Sequence, residues 1–258
     1  MLGITPYGDG QYLISARDIT TLSQIDDMRR DFISNASHEL RTPLTVMSGY
    51  IEFMHHKADQ NTKIPLEKIQ QQTVRMDKII TELIDLAKLE SAAAVDFTKK
   101  VDIKTLLNDV FKEALSLDQN KHHIELATEA EDSDNGPALN LHGSYEELRM
   151  AFSNLLTNAI RYTPEAKAIK LFSSSHKTGI SIGVQDHGVG IRYEHIPRLT
   201  ERFYRVDEGR SREQGGTGLG LAIVKHVLDR HNATLRIQSE PGKGSTFCCE
   251  FPLPQRKQ

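Results

Sequence analysis

The stretch Phe32-Ile33-Ser34-Asn35-Ala36-Ser37-His38-Glu39-Leu40-Arg41-Thr42-Pro43-Leu44 lies inside a run of helical periodicity from about Leu22 to His56. Apolar residues recur at Ile33, Ala36, Leu40, Leu44, Met47, Ile51 and Met54. Steps of three and four trace a heptad-like seam. At about 100° per residue, His38 falls roughly 150° away from that seam and points outward. Thr42, one turn later, shares its side, and Glu39 is the next residue around the helix. Pro43 removes a backbone donor and is expected to kink the helix just beyond the histidine.

A second stretch repeats the pattern at Leu66, Ile69, Thr73, Met76, Ile80, Leu83 and Ala87. Between the two runs lies a polar turn, roughly Lys57 to Lys63, with Pro65 suited to a first helical turn. The expected unit is a helical hairpin. Two apolar stripes on one hairpin leave too much surface uncovered, and two such hairpins make a four-helix bundle, so a homodimer is expected. The alternative is that the hairpin packs on the domain that follows it.

Upstream, Pro6 to Gly10 reads as a Gly-rich turn and Tyr12 to Ala16 as a short strand. A lone strand is not stable by itself, so residues 1–20 are read as the end of an upstream sensory domain. Downstream, from about Asp96, the pattern becomes mixed α/β. Helical periodicity covers Ile103 to Leu117, and Ile124 to Ala127 reads as a strand. Asp132 to Pro137 reads as a turn. Ser144 and Glu147 have capping-box spacing for a helix through about Arg161. Strands are expected at Ile169–Ser173, Ile180–Gln185, Thr234–Ser239 and Thr246–Phe251, with a long loop from Arg192 to Gly216 and a helix over Thr217–Asp229. The expected fold is therefore multidomain: residues 21–95 form the hairpin of a dimeric four-helix bundle, and residues 96–258 form an α/β sandwich with helices on one face of a mixed sheet. The intervening Ala92–Lys100 segment is expected to act as a hinge.

The 258 residues are 38% hydrophobic and 26% charged, with net charge −3, which argues against nucleic acid as the main partner. No apolar run approaches the roughly 18 residues needed to span a bilayer. Cys248 and Cys249 are adjacent, a poor geometry for a disulfide and too few for a structural zinc site, so they are expected to alternate faces of a late strand.

Three blocks carry the chemistry of the second half. In Asn154-Leu155-Leu156-Thr157-Asn158-Ala159-Ile160-Arg161-Tyr162-Thr163-Pro164, the residues Asn154, Asn158, Arg161 and Tyr162 share one helix face. Amide oxygens suit Mg²⁺, an arginine suits phosphate and a tyrosine ring can line a purine pocket. The bland reading is a polar helix face. In Asp186-His187-Gly188-Val189-Gly190-Ile191, directly after a strand, Asp186 can accept the adenine amino proton and Gly188 and Gly190 allow close backbone approach. Alone, that pattern is often only a turn. Gly215-Gly216-Thr217-Gly218-Leu219-Gly220-Leu221 opens a helix and offers backbone N–H groups to phosphates. It lacks the Gly-Lys-Ser/Thr ending of a P-loop, and no strand precedes it as in a dinucleotide fingerprint. Glu201-Arg202-Phe203-Tyr204-Arg205 lies between these blocks, in a loop that reads as a lid from which Arg205 reaches a γ-phosphate.

The string Ser37 to Leu44 resembles the H-box of sensor histidine kinases. The later blocks, in this order, resemble the N, G1, F and G2 boxes of the ATP-binding domain shared by histidine kinases, gyrase, Hsp90 and MutL. The one departure noted is His187, where the family often has asparagine. The resemblance implies that His38 is phosphorylated from ATP with Mg²⁺, that Glu39 assists proton transfer and that Thr42 helps place the water for regulator dephosphorylation. It implies a nucleotide site of Asn154, Asn158 (also the metal ligand), Arg161, Tyr162, Asp186, Gly188, Gly190, Ile191, Arg205, Gly216, Thr217, Gly218, Leu219 and Gly220. The string from His195 to Val227 resembles the phosphate-regulon branch of that family, and the opening strand the end of a PAS domain. The implied partners are a second copy of the chain and a cognate response regulator of the phosphate regulon. The implied location is cytoplasmic, with an anchor in the bacterial inner membrane elsewhere in the protein. An ATPase clamp of the gyrase kind would share the nucleotide blocks but has no need of an H-box. A pseudokinase scaffold predicts damage at His38, Asn158 or Asp186, and all three are intact.

Overall fold

The computed structural model of the chain describes residues 2–6, 11–16, 44–52, 54–55, 60–128, 140–206 and 216–252. His38, Glu39, Thr42, Pro43 and Gly215, and the turn expected at Asp132–Pro137, lie outside the described residues.

The first element corrects the sequence reading. Leu2–Pro6 (β1) pairs antiparallel with Tyr12–Ala16 (β2), with Ile4 opposite Ile14, so the expected lone strand is half of a hairpin. Gly3 and Pro6 had masked the first strand, since neither favours extended pairing.

Residues 44–52 and 54–55 are helical (α1), and Gln60–Ser91 forms one long helix (α2). The helix starts before Pro65, which therefore lies inside it and not in the expected first-turn position. Leu44 packs with Ile80 and Ile84 to join the two helices. Ile51, Thr73 and Ala87 of the stripes are also buried within one chain, whereas Met47, Met54, Ile69 and Met76 remain about half exposed.

The last turns of α2 do something else. Leu86 and Leu89 belong to the same buried cluster as the α/β domain that follows. That domain begins with Lys100–Asp102 (β3), which leads into Ile103–Asp118 (α3). Asp102 caps α3 by accepting from the Thr105 N–H at 3.0 Å. His123–Thr128 (β4), Asn140–His142 (β5) and Tyr145–Tyr162 (α4) follow, then Ala168–His176 (β6) and Gly179–Asp186 (β7). A short 3₁₀ helix, Tyr193–Arg198, interrupts the expected long loop. Gly220–Arg230 (α5), Thr234–Glu240 (β8) and Gly244–Pro252 (β9) complete the order.

The main sheet has the order β4-β6-β7-β9-β8, with β4 and β6 parallel and the other pairs antiparallel. β3 and β5 form a separate two-stranded pair. Register puts Leu171, Val184 and Phe247 side by side, and likewise Ser173, Ile182 and Cys249. This is the face that α3, α4 and α5 cover, with Phe152 of α4 against Phe251 of β9. Cys249 is fully buried on that face and Cys248 lies on the other, as the alternation required.

The α4 cap departs from a full capping box. Ser144 Oγ accepts from the Glu147 N–H, but the Ser144 N–H goes to His231 Nε2 and the Glu147 carboxylate to Arg230. Arg230 also donates to the carbonyls of Ala92 (3.1 Å) and Ala93 (2.8 Å). The start of the segment read as a hinge is thus fastened to the α/β domain.

Candidate nucleotide site

Helix α4 buries Leu148, Ala151, Phe152, Leu155, Leu156 and Ala159 against the core. Its opposite flank, Asn154, Asn158, Arg161 and Tyr162, lines a cavity of about 600 Å³. Asn154 fixes its own amide by donating from Nδ2 to the Met150 carbonyl at 2.9 Å. Its Oδ1 then faces α5, where a Cβ on Gly220 would sit only 2.8 Å from it. A side chain at position 220 would therefore push the Asn154 amide out of this position.

Asp186 closes β7 on the helix-covered face of the sheet, in register with Ile169 and Ser245. Its Oδ1 accepts from the Gly188 N–H at 2.7 Å and the Ser245 N–H at 3.2 Å. Burial pushes its pKa up, and these two N–H groups and His187 pull against that. Both backbone bonds go to Oδ1, which leaves Oδ2 for the cavity that Asp186 lines. Gly190 makes the loop possible: its φ is +67°, and a Cβ there would lie 2.0 Å from the Glu240 carbonyl oxygen. The neighbouring His187 ring turns away, with Nδ1 3.0 Å from the Ala168 carbonyl oxygen.

The glycine-rich loop faces these groups. A Cβ on Gly216 would be 3.3 Å from Tyr162 Oη, 3.5 Å from Arg205 Nη2 and 3.7 Å from Arg161 Nη1. Two guanidinium groups and a phenol therefore converge on one glycine. Thr217, Gly218 and Gly220 line the same cavity with Gly190 and Ile191. Two residues from the sequence reading do not line it. Gly188 acts from behind by holding Asp186. The Leu219 side chain is fully buried in the core, and only its N–H reaches the site, donating to Thr217 Oγ at 3.3 Å. Among the described residues no group of three His, Cys, Asp or Glu side chains is placed to hold a metal.

Sequence reasoning missed part of the wall. Lys78 and Glu82, one turn apart on α2, line the cavity, as do Thr163, Leu199, Tyr204 and Phe247. Lys78 and Glu82 had the spacing of an exposed helix pair and carried no motif. Lys78 has its pKa pushed down, first by burial and then by the charge of Arg161, with Glu82 opposing.

Residues 143–255 match the family of histidine kinase-, DNA gyrase B- and HSP90-like ATPases, and residues 28–92 match the His kinase A phospho-acceptor domain. The chain belongs to the sensor histidine kinases. Apart from Lys78 and Glu82, the residues lining the cavity fall within the matched ATPase residues. The chain is 47% identical over 256 residues to the phosphate regulon sensor protein PhoR of Pseudomonas aeruginosa, covering 98% of this chain and 56% of that protein. It is 41% identical over 255 residues to PhoR of Haemophilus influenzae, covering 97% of this chain and 57% of that protein. The chain thus spans little more than half the length of these relatives. Among solved structures, full-length ShkA in complex with AMPPNP aligns with a TM-score of 0.64 at 26% identity, over 86% of this chain and 45% of that one. Among the described residues no helix is long and apolar enough to cross a membrane.

Proposed function

We propose that the cavity binds Mg·ATP and that the chain transfers the γ-phosphoryl group to His38, then to an aspartate of a response regulator. The observation that carries this reading is the convergence of Arg161, Tyr162 and Arg205 on Gly216, in a cavity that Asp186 also lines. A lone pair on a His38 ring nitrogen attacks the γ-phosphorus, the bond to the β,γ-bridging oxygen breaks and ADP leaves with the electron pair. Glu39 hydrogen-bonds the other ring nitrogen and orients the imidazole. Arg161 and Arg205 neutralise charge on the phosphates, and Asp186 Oδ2 accepts from the adenine amino group. Asn158 lines the cavity with the glycine-rich loop, and an amide oxygen is a ligand of the kind a hard cation takes alongside phosphate oxygens and water. Asn158 would hold a Mg²⁺ ion bound with the nucleotide, and the ion would supply charge neutralisation for the phosphates. In reverse traffic, Thr42 helps place the water that hydrolyses the phospho-aspartate.

The exposed apolar residues of α1 and α2 support a homodimer with a four-helix bundle at its centre. The likeness to two phosphate regulon sensor proteins supports a response regulator of the phosphate regulon as the partner. The test is autophosphorylation with γ-labelled ATP and Mg²⁺, comparing the chain with His38→Gln. Acid-labile, alkali-stable label on the parent and none on the variant supports the reading. Equal label on both moves the acceptor elsewhere.

A further inference from the structure

The carboxylate of Glu82 accepts a hydrogen bond from the hydroxyl of Thr217, in the glycine-rich loop that opens α5. Glu82 is not a surface group that happens to reach over: its side chain is only 12% exposed. Lys78 Nζ stands 3.8 Å from the other carboxylate oxygen. Arg161 is near enough for its charge to act on Lys78. Thr217 is itself buried, and its oxygen also accepts from the Leu219 N–H. A hydroxyl donor, an ammonium and a guanidinium are the set an anionic phosphate oxygen requires, and here a helix outside the α/β domain supplies the anion. The same helix is held to the domain by Leu86 and Leu89 in its core and by an ion pair between Glu90 and Arg202 of the lid.

We propose that Glu82 is a phosphate mimic: its carboxylate and the phosphates of the nucleotide compete for Thr217 and its cationic neighbours. Two anions do not share one small donor cluster without strong repulsion, so phosphate binding expels Glu82. Expulsion removes one of the contacts that hold α2 against the glycine-rich loop. Nucleotide occupancy is thereby coupled to the docking of the phosphoacceptor hairpin on the ATP domain, and the coupling is reciprocal. The penalty falls on the phosphates and spares the nucleoside, which carries no charge to oppose Glu82.

The inference rests on the nucleotide reading of the cavity, and calorimetry on the full chain separates the two. The ligands are AMPPNP with Mg²⁺, ADP with Mg²⁺, and adenosine. The variant is Glu82→Gln, which keeps an acceptor for Thr217 at the same place and size but removes the charge. The expected result is AMPPNP affinity raised about ten-fold, ADP raised less, and adenosine unchanged. Equal AMPPNP affinity in parent and variant overturns the proposal, as does a loss of affinity or a parallel change for AMPPNP and adenosine. A parent chain that binds none of the three sinks the nucleotide reading itself. A melting temperature measured on both proteins separates a charge effect from damage to the fold, because damage lowers all three affinities together.

Discussion

Arg230, at the end of α5, grips Glu147, in the first turn of α4, at two points: Nε to Oε2 at 2.8 Å and Nη2 to Oε1 at 2.9 Å. Each residue also sits at the helix end its charge favours, Glu147 at an N-terminus and Arg230 at a C-terminus. Both side chains are largely buried, so removing one strands the other's charge. Arg230→Met is expected to destabilise the chain by about 2–4 kcal/mol in urea unfolding. Arg230→Lys should recover only part of this, because an ammonium cannot reproduce the fork or keep the bonds to Ala92 and Ala93. Equal stability of the Met variant and the parent would show that the pair contributes nothing.

The neighbouring His231 is neutral by its hydrogen bonds. Its Nδ1–H donates to the Val227 carbonyl at 2.8 Å, and its Nε2 accepts from the Ser144 N–H at 3.0 Å. Burial, helped by the Arg230 charge, pushes its pKa below the ordinary 6.5, against the Val227 carbonyl and Glu147. The unfolded chain therefore takes a proton at this site first. The contribution to stability is complete above the unfolded value and is lost as pH falls through it toward the folded one. Thermal melts between pH 7.5 and 5 should show a steeper decline for the parent than for His231→Gln. Parallel curves would remove His231 from the account.

Gly190→Ala tests the loop beside Asp186. The substitution puts a Cβ 2.0 Å from the Glu240 carbonyl oxygen at a φ of +67°. The loop has no room to yield, since Ile191 N–H donates to Ser239 Oγ and Gly242 N–H to the Val189 carbonyl, each at 2.8 Å. We expect a loss on the order of 3 kcal/mol in denaturant unfolding, together with loss of nucleotide binding. An alanine variant with parental stability would mean that the loop has another conformation open to it.

Much of this was legible in the sequence, for definite reasons. The α/β half was readable because its strands alternate and its helix starts carry caps, as at Ser144. The site was readable because Asn154, Asn158, Arg161 and Tyr162 repeat at helical spacing, and because glycines mark the places where side chains do not fit. What was not readable is long-range. β3 and β5 are three residues each, too short for periodicity, and pair across at least 37 intervening residues. Lys78 and Glu82 belong to a helix whose apolar stripe suggested a partner on one side only, so nothing local marked their flank as a wall of the cavity. Docking on the ATP domain holds for the end of α2, where Leu86 and Leu89 are buried in the domain core, while Met76 further up the helix stays half exposed.

Asp186 separates function from stability by pH. Burial raises its pKa, so ionising it costs the folded state. Its favourable contribution to stability is complete below the unfolded value of 3.8 and is lost as pH rises through the raised folded value. Binding has the opposite sense, because the adenine amino group needs an ionised acceptor at Oδ2. Affinity for adenosine, which carries no phosphate to titrate, should therefore fall as pH drops through the raised pKa. Asp186→Asn keeps an acceptor without charge, and a hydrogen bond to a neutral group is weaker by about 1 kcal/mol, roughly five-fold in affinity. The variant should bind adenosine more weakly at pH 7.5 and show a flat profile down to pH 5. At pH 7.5 it should melt at the parent's temperature or above it, since no charge remains to be buried. A variant that melted lower and bound adenosine as the parent does would make Asp186 a support of the loop and not a reader of the base.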